Sequence, residues 1–564
     1  MELLKVENLS FAYPKQQQKA LDNISFSLMS GEFIVICGES GCGKTTLLKM
    51  LKPVLTPYGE KDGKVFFEGI DVQHLDERRA VSDIGYVLQN PDSQIVTDKV
   101  WHELAFGLEN MGLPTQTIRR RVNEMACFFG LDGIFRSETA SLSGGQKQLL
   151  NLASIMVMSP KLLILDEPTS QLDPIAASGF IATLQKINRE LGLTILLVEH
   201  RLEEVFPIAD RVILMEKGAV SLFEHPRDIG QSLKKKQHEM ILGLPSAVRI
   251  FYQLNIDDDC PLTVREGRAF LTRHYGDTAT PYSPPPPAAP KQNYTVEVKD
   301  VWFRYERDLP DVLEGIHLTL FEGETVCILG GNGAGKTTLL KVLSAQERAY
   351  RGKININDRN ISKYSGNELY RGNLALLPQN PQTVFLKSTI KEDYMEICKV
   401  MGYKKDVILS KINEIAGQLE LECFLERHPY DLSGGEQQKA ALGKMLLLNP
   451  RILLLDEPTK GIDAYSKHKL GKILAALKKQ HMTILIVTHD VEFAAENADR
   501  CAMLFDKGIS SIDAPADFFS GNQFYTTAAN RIARHLFPSA ITCGDVVFAC
   551  RQSESRSFTP VQMR

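Results

Sequence analysis

Two glycine-rich loops in this chain carry a lysine and a hydroxyl at the spacing that grips phosphate. The first is GESGCGKT, comprising Gly38, Glu39, Ser40, Gly41, Cys42, Gly43, Lys44 and Thr45, followed by Thr46. The second is GGNGAGKT, comprising Gly330, Gly331, Asn332, Gly333, Ala334, Gly335, Lys336 and Thr337, followed by Thr338. GxxxxGK[ST] between a strand and a helix is a P-loop, whose backbone N–H groups converge on phosphate oxygens. Lys44 and Lys336 are expected to reach the β- and γ-phosphates, and Thr45 and Thr337 to place a hydroxyl on Mg²⁺. Downstream, the apolar runs LLILD and ILLLD end on Asp166 and Asp456, where a rim carboxylate can hold Mg²⁺ through water. Glu167 and Glu457 follow directly, and strand alternation is expected to turn them elsewhere, towards an attacking water.

Each half also carries an LSGG segment ahead of a helical pattern, with Ser143, Gly144 and Gly145 in one and Ser433, Gly434 and Gly435 in the other. Paired glycines at a helix start make a second anion-binding site. One half cannot easily aim both of its anion sites at a single nucleotide. His200 and His489 end further strand-like runs, TILLVEH and TILIVTH. Tyr13 and Tyr305 each precede their P-loop by 25 residues, where an aromatic ring can stack on adenine or simply belong to the core.

These elements recur in the same order, about 290 residues apart, including Gln89 of LQNPDSQ and Gln379 of PQNPQTV. A period this long marks a duplicated domain, since solenoid units repeat every few tens of residues. The chain is expected to handle two ATP molecules.

The elements that must position these residues follow from the apolar runs. FIVIC and TVCIL, bounded by glycine, read as buried strands of a parallel sheet, and alternation with helical stretches gives an α/β fold with ligands at the carboxyl ends of the strands. The fold expected is two tandem P-loop domains, each with a helical subdomain; residues 100–136 supply the first one. The boundaries read as a first ATPase domain at 1–232, a helical extension at 233–277, a proline-rich spacer at 278–293, a second ATPase domain at 294–518 and a C-terminal extension at 519–564.

The 564 residues are 43% hydrophobic and 24% charged, an ordinary globular composition, and a net charge of −4 argues against a protein that coats nucleic acid. No run approaches the roughly 20 apolar residues that span a bilayer, and the start MELLKVENLSFAYP lacks a signal-peptide pattern, so the expected place is the cytosol. The ten cysteines have no metal-ligand spacing and read as core residues of a reducing compartment.

P-loop, Q-loop, LSGG signature, acidic strand end, D-loop and switch histidine, in that order, resemble the ATP-binding cassette (ABC) ATPases. The resemblance implies ATP and Mg²⁺ as ligands, Gln89 and Gln379 between Mg²⁺ and a coupling groove, and His200 and His489 on the γ-phosphate. It implies that the two domains pair within the chain, head to tail. Lys44 would then share a nucleotide with Ser433, and Lys336 with Ser143. Glu167, His200, Glu457 and His489 would be catalytic. Asp173 and Asp463 fall in the D-loops, where KGID departs from the usual small residues.

QNPDSQ with VWHELAFGLENMGL, and the VEH motif, are similar to the ATPase subunits of energy-coupling factor (ECF) importers of vitamins, their precursors or metal ions. The implied partners are an integral membrane scaffold (T) protein and a substrate-binding (S) protein, with the chain at the cytoplasmic face of the cell membrane. The second half departs at QNPQTVF and lacks the AFG segment. A soluble two-cassette ATPase acting on ribosomes or nucleic acid is the competing class; such proteins usually join their cassettes by a long charged helix rather than a proline-rich spacer.

Overall fold

The computed structural model describes residues 1–14, 18–236, 238–284 and 293–557. Half of the proline-rich spacer, residues 285–292, therefore lies outside the described residues. The chain divides into two compact units, residues 1–248 with 258–263, and residues 249–257 with 264–564. The segment read from sequence as one helical extension is thus shared between them.

The first unit holds β1 (Glu2–Ala12), β2 (Leu21–Met29), β3 (Phe33–Gly38), β4 (Glu60–Phe67), β5 (Ile70–Asp71), β6 (Ile84–Val87), β7 (Leu162–Asp166), β8 (Thr194–Val198), β9 (Arg211–Glu216) and β10 (Ala219–Glu224). They form two sheets, a four-stranded β2-β1-β4-β5 and a six-stranded β10-β9-β3-β8-β7-β6. The first is antiparallel throughout, and its β1 mixes buried residues with partly or fully exposed ones. In the second, β6 to β9 run parallel with β3, and only the edge strand β10 pairs antiparallel. Strands β3, β7 and β8 are buried along their whole length, which is why they read as unbroken apolar runs. The antiparallel sheet, split off from the parallel one, is the part of the architecture that the α/β expectation did not include.

The second unit repeats this plan with β11 (Tyr294–Phe303), β12 (Leu313–Phe321), β13 (Thr325–Leu329), β14 (Arg351–Ile356), β15 (Arg359–Asn360), β16 (Leu374–Leu377), β17 (Ile452–Asp456), β18 (Thr483–Thr488), β19 (Arg500–Phe505) and β20 (Gly508–Asp513). Its sheets run β12-β11-β14-β15 and β16-β17-β18-β13-β19-β20. In each unit the P-loop strand is central and the acidic strand is two places away, separated by the strand that leads to the histidine. Sheet order alone therefore gathers these residues at one carboxyl edge.

Each unit carries a helical subdomain between the glutamine and LSGG motifs, Val100–Asn110 with Thr115–Phe128 in the first and Ile390–Val400 with Lys405–Leu419 in the second. The C-terminal extension, opaque in sequence, forms helices Ala528–Ala533 and Cys543–Ser557. Helix Val264–Tyr275, from the segment preceding the spacer, lies against Ala528–Ala533. The Tyr275 hydroxyl donates to Glu554 at 2.5 Å and Tyr282 to Asp545 at 2.9 Å. These contacts tie the segment before the spacer to the C-terminal extension within the second unit. Among the described residues no helix is long and apolar enough to cross a membrane.

Candidate nucleotide site

In the first unit the chain leaves β3 at Gly38 and turns into helix Lys44–Met50. The turn is possible because Gly43, the residue before the helix, has φ +99°. A β-carbon there would stand 2.4 Å from the Ala20 carbonyl oxygen. Lys44 is buried and folds back over the loop, its Nζ donating to the Gly38 and Glu39 carbonyls at 2.9 and 2.8 Å. The second unit does the same, with Gly335 at φ +99° and Lys336 Nζ on Gly330 and Gly331 at 2.8 and 3.1 Å. Each lysine is held where a phosphate oxygen could replace a loop carbonyl. The rim of the second loop, Gly331, Asn332 and Gly333, is exposed, as is Gly41 of the first.

Thr45 and Thr337 are exposed on the first helical turn, while Thr46 and Thr338 point inward. Thr45 Oγ1 donates to Asp166 Oδ1 at 3.2 Å and the Tyr86 hydroxyl to Asp166 Oδ2 at 3.3 Å. In the second unit Thr337 bonds Asp456. Leu376 replaces the tyrosine there, and Asp456 Oδ1 is buried with no hydrogen-bond partner in the described structure. Burial, then the Glu167 charge, pushes Asp166 up to about 6; the Thr45 and Tyr86 bonds oppose it. Burial likewise pushes Asp456 up to about 6, with Thr337 opposing and Glu457 adding. A buried carboxylate oxygen lacking a proton donor, beside a threonine hydroxyl, is a hard-oxygen set that fits Mg²⁺.

Glu167 and Glu457 lie just past the strand ends, at φ +47° and +48°. The backbone kinks into the left-handed region there, so the regular strand alternation expected to separate the two carboxylates does not extend to the glutamates. Glu167 Oε1 meets His200 Nε2 at 2.8 Å and its Oε2 accepts from Gln89 Nε2 at 2.7 Å. Glu457 Oε2 meets His489 Nδ1 at 2.8 Å and accepts the His489 N–H at 3.3 Å, while its Oε1 lies 3.7 Å from Lys336 Nζ. Burial pushes Glu457 up, but the His489 bond and charge, helped by Lys336, outweigh it and hold the carboxyl below its usual range. Gln379 is exposed and makes no hydrogen bond matching that of Gln89 among the described residues.

Tyr13 and Tyr305 sit against the P-loop helices, their hydroxyls 3.0 Å from Thr46 and Thr338 Oγ1 and their rings edge-on to Phe11 and Phe303. Tyr305 keeps 49% exposure, so its ring retains an open face. Ser143 caps helix Gly144–Met156 in a capping box with Gln146, and Ser433 caps Gly434–Leu446 in one with Glu436. The signature helices also grip the Q-loops. Lys147 pairs with Asp92 at 2.6 Å and Asn151 Nδ2 donates to the Pro91 carbonyl at 3.2 Å. In the second unit Lys444 forms a buried pair with Asp393 at 2.6 Å. Glu199, Tyr86, Lys444 and Asp393 were not singled out in the sequence; only the mismatch with the other half at these positions could have signalled them.

A family model described as ABC transporter matches residues 21–170 and again 313–460. The chain belongs to the ABC transporter ATP-binding family. It is an ATPase of two tandem cassettes, and the family binds ATP with Mg²⁺. It is 41% identical over 551 residues to a protein of Bacillus thuringiensis subsp. konkukian provisionally named ABC transporter ATP-binding protein, covering 97% of this chain and 98% of the relative. It is 30% identical over 538 residues, 92% of this chain and 93% of the relative, to YkoD of Bacillus subtilis, provisionally named an HMP/thiamine import ATP-binding protein. Among solved structures, cbiO1 of Clostridium perfringens, described as part of the ABC transporter complex cbiONQ, is 31% identical. That match covers 42% of this chain and 95% of the other, at a TM-score of 0.38.

Proposed function

We propose that this two-cassette ATPase is the energy-coupling subunit of an ECF-type importer of a vitamin, a vitamin precursor or a metal ion. The observation that carries the motor is the glutamate–histidine pair, at 2.8 Å in both cassettes, beside a folded-back P-loop lysine. The import reading is supported by the Q-loop and VEH sequences and by the name of the Bacillus subtilis relative.

In this reading Lys44 and Lys336 exchange a loop carbonyl for phosphate oxygens. Glu167 and Glu457 take the proton of the attacking water, and His200 and His489 contact the γ-phosphate. Thr45, Asp166 and Gln89, and Thr337, Asp456 and Gln379, hold Mg²⁺, which when bound neutralises charge on the phosphates. Tyr13 and Tyr305 face the base. The P-loop of each cassette is completed by the signature of the other, so that Lys44 works with Ser433 to Gly435 and Lys336 with Ser143 to Gly145. The cassettes, at 1–232 and 294–518, act on a membrane scaffold protein that works with a substrate-binding protein, from the cytoplasmic face and without contact to nucleic acid.

The test has two arms. Purified full-length chain should hydrolyse ATP, and Glu167→Gln with Glu457→Gln should abolish turnover while ATP still binds. Affinity-tagged chain recovered from membranes should bring integral membrane proteins with it. A double variant with undiminished turnover would refute the site assignment, and recovery on ribosomes would replace the importer with the soluble class.

A further inference from the structure

The two centres differ at the residue before the switch histidine. The first cassette has Glu199, only 2% exposed; the second has Thr488. Glu199 Oε1 accepts from the Thr169 N–H at 3.0 Å and from Thr169 Oγ1 at 2.6 Å. Its Oε2 accepts the His200 N–H at 3.1 Å. Thr169 lies two residues beyond Glu167, in the loop that leads on to the D-loop Asp173. One buried carboxylate thus ties the two segments that carry Glu167 and His200.

Among the described residues the second cassette has no buried carboxylate in the place of Glu199. The Thr488 hydroxyl accepts from the Asp490 N–H at 3.0 Å. The His489 N–H turns to Glu457 itself, whose carboxylate then serves the ring, the backbone and Lys336 together. In the first cassette Glu199 takes the His200 backbone proton instead, which leaves Glu167 Oε2 to Gln89. A buried carboxylate is costly unless several donors satisfy it. Here three donors do so, and all three belong to the segments flanking the reacting pair. Burial raises the Glu199 carboxyl and the Thr169 bonds oppose it.

We infer that Glu199 is a positioning residue of the first ATP centre alone, fixing the loop after Glu167 and the backbone of His200 in mutual register. The inference rests on the proposed catalytic roles of Glu167 and His200. It makes the two centres unequal by construction: the first has a glutamate aligned by a neighbour, the second a glutamate that must leave its own histidine backbone and lysine to act.

The full chain tests this with two readouts. Amide hydrogen exchange, followed by mass spectrometry, reads the tie without any catalysis. Glu199→Thr, which installs the second cassette's residue, should raise exchange at least about tenfold in segments 167–172 and 199–201 and leave 457–462 as in the unaltered chain. Glu199→Gln keeps an oxygen for Thr169 but faces the His200 N–H with an amide, so 167–172 should stay protected while 199–201 opens. ATP turnover should fall to about half or less in Glu199→Thr, with KM for ATP within about twofold, because the P-loop is untouched. Unchanged exchange in 167–172, turnover above about four-fifths of the unaltered chain, or a KM rising in step with the loss, would overturn the assignment. A chain that fails to hydrolyse ATP before any substitution would instead sink the proposed function, and the exchange arm would still judge the tie.

Discussion

The buried aspartate at the end of β17 should cost the ligand-free protein stability, and removing its charge should show how much. Asp456 is 3% exposed, has one oxygen without a hydrogen-bond partner, and has its proton affinity raised from 3.8 to about 6 by burial. A carboxylate whose folded pKa is raised binds protons more tightly in the native state, so stability is lost as pH rises through the folded value. The difference of about 2 units corresponds to about 3 kcal/mol at pH 7.5, about half of that at pH 5 and about 0.5 kcal/mol at pH 4. Asp456→Asn keeps the shape, keeps an acceptor for Thr337 and removes the repulsion with Glu457. The variant should therefore raise the stability of the second cassette by up to about 3 kcal/mol at pH 7.5 in EDTA, while ATP hydrolysis at that centre is lost. Thermal unfolding of the ligand-free chain at pH 7.5, 5 and 4, variant against unaltered, measures it. A stabilisation that does not shrink towards acid pH, or a destabilisation at pH 7.5, would refute the reasoning that an unneutralised carboxylate is stored there for a cation.

Other substitutions follow from the packing. Lys444→Met should cost the second cassette about 3–5 kcal/mol in urea unfolding, because it leaves Asp393, 1% exposed, without its cation. Adding Asp393→Leu should recover much of that loss, since the pair rather than either charge is tolerated there. Gly43→Ala should abolish nucleotide binding at the first P-loop, measured with a fluorescent ATP analogue, because its β-carbon meets the Ala20 carbonyl at a φ of +99°. Tyr282→Phe should lower the unfolding free energy by about 1–2 kcal/mol through the lost bond to Asp545, leaving ATP turnover unchanged.

The sequence spoke most clearly where chemistry forces residue type. Phosphate needs a glycine turn and a lysine, so GESGCGKT and GGNGAGKT were legible, and fully buried parallel strands need unbroken apolar runs, so FIVIC and LLILD were too. The split-off antiparallel sheet was not, because a half-buried strand such as β1 does not say which sheet it joins. The C-terminal helices were hidden because their partner, Val264–Tyr275, lies far back in the chain, and periodicity cannot report a distant pairing. Glu199 looked like part of a histidine motif; that it is a buried acceptor depends on Thr169, brought near by the β7–β8 pairing in which Asp166 faces Val198. The kink at Glu167 was not legible, because a positive φ at a glutamate has no sequence signature of its own.

The ligand-free contacts also bear on how such a site can release what it binds. Each P-loop lysine already donates to two carbonyls, each glutamate already holds its histidine, and in the second cassette the glutamate approaches the lysine as well. Nucleotide binding therefore exchanges hydrogen bonds rather than adding them, and its net free energy is the difference between two well-satisfied arrangements. On the proposed reading, the interactions that binding would add outright are a cation on the unpartnered oxygen of Asp456 and phosphate on the helix starts at Ser143 and Ser433. Their capping boxes differ, with Gln146 in one and the carboxylate Glu436 in the other, so the second signature helix offers an anion a less positive end. On the proposed role of the signatures, ATP-binding measurements after Glu436→Gln should show a higher affinity than in the unaltered chain. Unchanged affinity at both P-loops would mean that the helix start at Ser433 takes no part in holding phosphate.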